Sequence, residues 1–391
     1  MGAEGWAGGG VEGDDRIFQG HHKDYMNICF YISDYGYGHA SRSIAIIRKL
    51  LSEYKDVKIY IKNSGAFDYI RSSLPHDNIE VVKSDNDIGV IFRENSISVD
   101  KEQTRGMLIE WIKSWDEYIK IEKQFCESRR IDLILSDITP QAFIVANELG
   151  IPGIAISNFS WHYIFFNLFG NIPVVEQIKG AYMLADLALV LPFNEGLDAI
   201  KKQKKVGLVS REITMEKYDL RRSMGISDNE LLVYMGVGMS IDPSFMSNIK
   251  KLDIPDLKLL VQHNVCLPFK NVVRIPDRET ETQNYINMCD LVVSKTGYST
   301  ASEAIRAKIP IFFIKRDGFK EDELVGDAIE KMGVGRFISE RSFLECEWRH
   351  ELGNLDKYIL NFDNMDDRFR SDGTEEIIGE IRKYYKEWYL L

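Results

Sequence analysis

The chain alternates. Short apolar runs of four to eight residues recur between helix-length segments. Runs of that length and spacing pack best as strands of parallel sheets buried on both faces. The first set is 26–33 (MNICFYIS), 57–62 (VKIYIK), 79–82 (IEVV), 132–136 (DLILS), 153–157 (GIAIS) and 187–191 (LALVL). The second is 231–235 (LLVYM), 257–261 (LKLLV), 271–275 (NVVRI), 290–294 (DLVVS) and 310–314 (PIFFI). Two successive sets predict two doubly wound α/β domains. The 391-residue length points the same way, because single cores stop growing at about 250–300 residues.

The first domain is expected over 25–195 and the second over 208–370. Polar sequence lies between, including PFNEG and the basic run KKQKK (201–205). That run reads as a solvated helix face or linker rather than a phosphate contact. Helix 41–54 places Ile44, Ile47, Leu51 and Tyr54 on one face. Segment 101–127 reads as one long helix, with Trp111, Trp115 and Tyr118 packed on one side. Residues 373–391 read as a helix capped by Thr374 that packs back on the first domain. The Gly-rich, acidic start, 1–24, reads as a disordered tail, and its His21-His22 pair as solvated.

Charge and cysteine usage narrow the partners. The net charge is −11 and the pI about 5.3. This argues against nucleic acid and anionic membranes as main partners. Five scattered cysteines without CxxC spacing argue against a disulfide framework or a zinc site. A reducing, cytoplasmic setting is the simplest expectation. No apolar run approaches the ~20 residues of a membrane span, and the start lacks the pattern of a secretory signal.

Several motifs fall at strand ends. DYGYGHASRS (34–43) follows the first strand. Gly36 and Gly38 allow a tight bend and a close ligand approach. A dinucleotide site would need a third glycine where Ser41 stands, and an acid where Asn63 and Ser64 stand. No GxxxxGK[ST] loop is present either. What remains is His39 at a cleft mouth, able to take a proton near neutral pH; the alternative is a structural histidine in a glycine turn. SKTGYSTASEA (294–304) turns a strand into a helix at Gly297. A helix N-terminus with Ser299 and Thr300 suits a diphosphate, and Glu303 suits a ribose diol. An ordinary capping box is the competing reading. MGVGMS (235–240) has Gly236 and Gly238 at another strand end. RDGFKEDEL (316–324) brings Glu321, Asp322 and Glu323, whose carboxylates can grip sugar hydroxyls or simply start a helix. In 136–162, Asp137 closes one strand, and Asn158, Ser160 and Trp161 close another. Asp137 is placed to orient His39 or to meet an acceptor. DND (85–87) has the look of a metal-binding DxD but reads as a turn away from the other candidates.

Together YGYGHASRS, DLILSDITPQAF with ISNFSW, and DLVVSKTGYSTASEA with FFIKRDGFKEDE resemble the GT-B glycosyltransferases. The likeness is closest to the glycosyltransferase-like half of plant arabinokinases and, more distantly, reaches the murein N-acetylglucosaminyltransferases. It spans roughly residues 26–325. The resemblance implies two Rossmann-like domains facing a central cleft. It implies a nucleotide-sugar donor, with uridine the family's usual base, and a hydroxyl acceptor, which lipid-linked molecules would also offer. Gly236 and Gly238 would lie over the donor, near Lys295. Gly297, Ser299 and Thr300 would take the diphosphate, Glu303 the ribose, and Asp322 or Glu323 the sugar. His39 would be the general base with Asp137 behind it. Gly36, Tyr37, Gly38, Arg42, Asn158 and Trp161 would form the acceptor side.

The implied reaction is inverting and independent of metal or other cofactors. Two features differ from the murein enzymes: tyrosines flank Gly36, and acids replace the glutamine common in the donor-sugar loop. Sugar kinase activity is not expected, since the kinase half of arabinokinases is absent. A GT-B nucleotide-sugar epimerase and a non-catalytic nucleotide-sugar-binding module are the rival readings.

Overall fold

The computed structural model describes residues 26–93, 98–236, 248–265, 267 and 269–390. The expected tail and Gly238 lie outside the described residues. Two sheets carry the fold. The first contains β1 (Met26–Ile32), β2 (Val57–Lys62), β3 (Ile79–Val82), β4 (Leu133–Asp137), β5 (Gly153–Ser157), β6 (Leu187–Val190) and β7 (Gln203–Lys205). Its order is β3-β2-β1-β4-β5-β6-β7. The second contains β8 (Leu231–Gly236), β9 (Leu257–Val261), β10 (Val272–Arg274), β11 (Leu291–Lys295), β12 (Ile311–Ile314) and β13 (Gly335–Phe337). Its order is β10-β9-β8-β11-β12-β13.

All strand pairs are parallel. The apolar runs explain this, since helices cover both faces and every residue of β1, β4 and β5 is buried. In each sheet the order reverses once, between β1 and β4 and between β8 and β11. Doubly wound sheets bind ligands beyond the carboxyl ends of the strands at such switch points. Those are the ends that carry the glycine-containing motifs.

Several local expectations are corrected. Helix Tyr37–Glu53 starts ahead of the expected 41, because Gly36, with φ of 79°, supplies its N-cap. The expected helix 101–127 is two helices, Lys101–Lys113 and Trp115–Arg129. The ladder breaks at Ser114, whose hydroxyl donates to the Trp111 carbonyl at 2.7 Å. KKQKK is neither helix nor linker. It contains β7, an exposed edge strand paired with β6, and Lys202 lies 4.5 Å from the ring centroid of Tyr384.

Helix Gly373–Leu390 lies against helix Tyr37–Glu53. Ile377, Ile378 and Ile381 are buried there, and Lys49–Glu375 and Arg382–Glu53 pair at its surface, each at 3.1 Å. Exposed pairs contribute little, so the isoleucines hold the contact. Thr374 is not the cap: Asp372 accepts from the Thr374 amide at 2.9 Å and from its hydroxyl at 2.6 Å. Among the described residues, no helix is long and apolar enough to cross a membrane.

Trp111 and Trp115 pack edge to face, 5.2 Å between centroids, within the core formed with Leu108 and Phe165. Among the described residues the Trp115 indole N–H has no acceptor, so its contribution there is packing. Trp115→Ala is expected to cost about 3–5 kcal/mol of stability, read as a lowered midpoint in chemical denaturation. An unchanged midpoint would remove this packing from the account of the core.

Candidate functional site

The turn after β1 is organised by Asp34. Its Oδ1 accepts from the amides of Ser64 at 2.7 Å and Gly65 at 2.8 Å, and its Oδ2 from the Asn86 amide at 2.6 Å. One carboxylate thus ties the loops that follow β1, β2 and β3. Asn86 is buried and donates to the carbonyls of Ile32 and Lys62 at 2.8 and 2.7 Å. Asp87 accepts from Ser33 Oγ at 3.1 Å, the Asp34 amide at 3.2 Å and Trp161 Nε1 at 2.9 Å. The DND segment is therefore not a remote turn. It is the floor of the first domain's loops. Burial, and then the neighbouring Asp34 charge, push Asp87 up to about 6.

His39 follows in the first turn of its helix and is 5% exposed. Its Nδ1 lies 2.9 Å from Asp137 Oδ1, and its ring packs edge to face on Phe159. Among the described residues Nε2 makes no hydrogen bond. Arg42 grips the same carboxylate with two donors, Nε at 2.7 Å and Nη2 at 2.6 Å. Ser43 Oγ adds a third at 3.2 Å. Burial alone would raise the Asp137 carboxyl, but the Arg42 and His39 charges outweigh it and hold it down to about 2. Arg42 also donates to Asn158 Oδ1 at 2.7 Å and lies 5.0 Å from the ring centroid of Tyr298 in the second domain. Arg42, Asn158 and Trp161, expected on the acceptor side, are buried and hydrogen-bonded within the first domain.

The two tyrosines of the opening motif do different things. Tyr35 packs against Trp161 and Phe319, each 5.5 Å away between centroids. Its hydroxyl accepts from Arg316 at 3.4 Å, and a Cβ on Gly89 would sit 2.0 Å from its ring. It bolts the two domains together. Tyr37 is 54% exposed and packs edge to face on Tyr69 at the rim.

Across the cleft, helix Tyr298–Arg306 begins at Gly297 without a side-chain cap, so the capping box does not form. Ser299 Oγ instead donates across the cleft to the Gly38 carbonyl at 2.6 Å. The N-termini of two helices, one per domain, therefore meet at the two switch points. Glu303 is buried, and its Oε1 accepts from Ser41 Oγ at 3.1 Å and from Arg211 Nε and Nη2 at 2.9 and 2.8 Å. Among the described residues no donor reaches its Oε2. Arg211, which sequence reasoning missed, also donates to Tyr69, the Thr280 carbonyl and Thr282.

The three acids of the fourth motif separate. Asp322 is fully buried and doubly hydrogen-bonded to Arg316, with Oδ1 2.6 Å from Nη2. Glu323 is at the surface, paired with Lys320. Glu321, singled out only as part of the cluster, is buried in the cleft and, among the described residues, makes no hydrogen bond; it lies 3.9 Å from Arg316. Burial raises its carboxyl, and the charges of Arg316, His39 and Arg42 oppose that only in part. Gly236 ends β8 beside this edge, its carbonyl accepting from Ser294 at 2.6 Å. No spacing rule separates Glu321 from its neighbours; only the helix start at Lys320 and the Arg316 partner do.

Comparison with known proteins agrees with this geometry. Residues 26–165 match the model of glycosyl transferase family 1. The chain is 25% identical over 335 residues to L-arabinokinase of Arabidopsis thaliana, covering 83% of this chain and 31% of that protein. It is 22% identical over 345 residues to an uncharacterized glycosyltransferase of Methanosarcina acetivorans, covering 82% of this chain and 89% of that one. The calicheamicin glycosyltransferase CalG4 superposes with a TM-score of 0.67 at 11% identity, over 93% of this chain and 99% of that one. With two parallel doubly wound sheets, their switch points facing one cleft, the chain has the GT-B fold of those glycosyltransferase structures.

Proposed function

We propose that the chain transfers a sugar from a nucleotide diphosphate sugar, uridine-linked by analogy with the family, to a hydroxyl acceptor, with inversion. The observation that carries this reading is the His39–Asp137 pair beside the uncapped start of helix Tyr298–Arg306, where Ser299 meets Gly38. The acceptor hydroxyl gives its proton to His39 Nε2 as its oxygen bonds to the sugar's C1. The bond from C1 to the diphosphate breaks, and the electron pair leaves on the diphosphate oxygen. The amides of Ser299 and Thr300 and the helix dipole stabilise that charge as it builds. Glu303 Oε2 takes a ribose hydroxyl. Glu321 takes over the sugar contact first expected of Asp322 or Glu323, because those two acids already have cationic partners. Closure of the cleft excludes water.

Arg42 acts through its neighbours. By holding both Asp137 oxygens it fixes the carboxylate on which His39 Nδ1 rests.

His39→Ala is expected to lower turnover by about 10²–10⁴-fold while leaving the melting temperature near that of the parent. Product formation across a panel of nucleotide sugars and hydroxyl acceptors measures this, and full turnover in the variant refutes the base assignment. NMR of the nucleotide sugar alone separates the two reactions, since isomerisation without acceptor selects the epimerase. Arg42→Met leaves Asp137 with a much weaker partner and is expected to cost about 3–5 kcal/mol. The Asp137 carboxyl is held below its unfolded value of about 3.9. Its stabilisation is therefore present above that pH and lost as pH falls toward 2. Denaturation midpoints across this window should fall less steeply in the variant than in the parent; equal slopes would contradict the Arg42–Asp137 account.

A further inference from the structure

Beyond Asp137 the backbone turns through Ile138 at a φ of 68°. Left-handed backbone suits glycine, and a β-branched side chain is strained there. Among the seven described non-glycine residues with positive φ, Ile138 is the one that is β-branched. It is fully buried, in the apolar cluster that holds Phe143, Phe159, Trp161 and Tyr182. Two hydroxyls grip the turn. Ser136 Oγ donates to the Thr139 carbonyl at 2.7 Å. Tyr182, the last residue of helix Pro173–Tyr182, donates to the Ile138 carbonyl and accepts from the Trp161 amide at 3.0 Å. Burial pushes the Tyr182 hydroxyl well above its usual range, so it stays an O–H donor. Strain of this kind persists only where the surroundings over-determine it, and it gathers at functional sites. Here it lies one residue past the carboxylate on which His39 rests.

Two groups compete for the inner nitrogen of that histidine. Asp137 Oδ1 lies 2.9 Å from His39 Nδ1, and Arg42 Nη2 lies 3.0 Å from it. A carboxylate only accepts and a guanidinium only donates. A neutral ring bonded to Asp137 carries its proton on Nδ1 and keeps a lone pair on Nε2. A neutral ring bonded to Arg42 carries its proton on Nε2 and has nothing there with which to take another. The position of Oδ1 therefore chooses the tautomer. We propose that Ile138 and Tyr182 are positioning residues that select the His39 tautomer: the left-handed turn, locked by the Tyr182 hydroxyl, holds Asp137 against Nδ1 and keeps the Arg42 donor from replacing it. Both act through Asp137. The use of this tautomer rests on the reading of His39 as proton acceptor given above. Without the Tyr182 bond the turn relaxes toward ordinary backbone at Ile138, and the preceding Asp137 turns with it. A glycine at this position holds positive φ without strain and dispenses with the lock.

Long-range proton–nitrogen NMR spectra of the full chain, labelled with nitrogen-15 in histidine and recorded in weakly alkaline solution, read the tautomer directly. The His39 signals are assigned by their loss in His39→Ala. In the parent the ring proton is expected on Nδ1, with Nε2 unprotonated. In Tyr182→Phe, which keeps the ring packed on Phe143, the ratio of the Nδ1–H to the Nε2–H form should fall about two- to tenfold, the worth of one net hydrogen bond. Adding Ile138→Gly to Tyr182→Phe should restore the parent ratio, which a role in packing alone would not do. A parent ring protonated on Nε2, Tyr182→Phe signals equal to the parent's, or a double variant without recovery each overturns the inference. Should Tyr182→Phe fail to fold, the parent spectrum and the double variant still decide. The spectra need neither donor nor acceptor. Their failure leaves the turnover test of His39 standing, and full turnover in His39→Ala removes the base assignment without touching the tautomer.

Discussion

The site depends on one buried carboxylate. Asp137 ends β4 at the switch point and accepts from Arg42, Ser43 and the His39 ring. A buried charge is costly unless paired and hydrogen-bonded, and here the partners come from the helix that follows β1. The pair therefore fixes the rotation of helix Tyr37–Glu53 relative to the sheet. That rotation places His39 on the cleft and sends Arg42 to Asn158 at the end of β5 and to Tyr298 across the cleft. One ion pair orients the His39 ring, joins three strand ends and touches the second domain.

The domains meet through further polar ties of the same kind. Arg211 and Ser41 converge on Glu303, Ser299 bonds Gly38, Arg48 pairs with Glu281 at 2.6 Å, and Arg316 reaches Tyr35. Tyr35 and Phe319 supply an apolar contact between them. Apolar packing accompanies these ties: one buried cluster runs through both domains, Phe319 also packs against Phe92 and Phe159, and Phe193 against Tyr298.

The strands were legible in the sequence because buried parallel strands must be apolar along their whole length. All eleven predicted runs contain a strand, most within one residue at either end. β7 and β13 were missed because both are three-residue edge strands, QKK and GRF, in which each residue is exposed except Gly335. The glycine turns and His39 were legible because backbone freedom and an ionisable group coincide at strand ends. The buried partners of Arg42, Asn158 and Trp161 were not, since a polar side chain near a cleft has the same spacing whatever it bonds. DND misled for a related reason. Asp34 reaches across three loops to hold the Asn86 amide, and no local pattern announces a bond over that distance in sequence.

The acidic loop shows how neighbouring residues of one type divide their tasks. Three consecutive acids begin helix Lys320–Met332, where the dipole favours any of them. Arg316, four to seven residues back, then decides among them. Asp322 has the short reach and the inward direction to meet the guanidinium with two oxygens and the Arg316 amide with one. Glu323 turns outward to Lys320. Glu321 is left inside, near Arg316 but beyond hydrogen-bond distance. Moving Asp322 out of the pair would leave Arg316 with Glu321, 3.9 Å away, as its acidic neighbour. The buried Asp322–Arg316 pair thus uses up one acid and leaves Glu321 beside the same guanidinium, beyond hydrogen-bond distance. The loop's chemistry follows from that division and not from its count of acids.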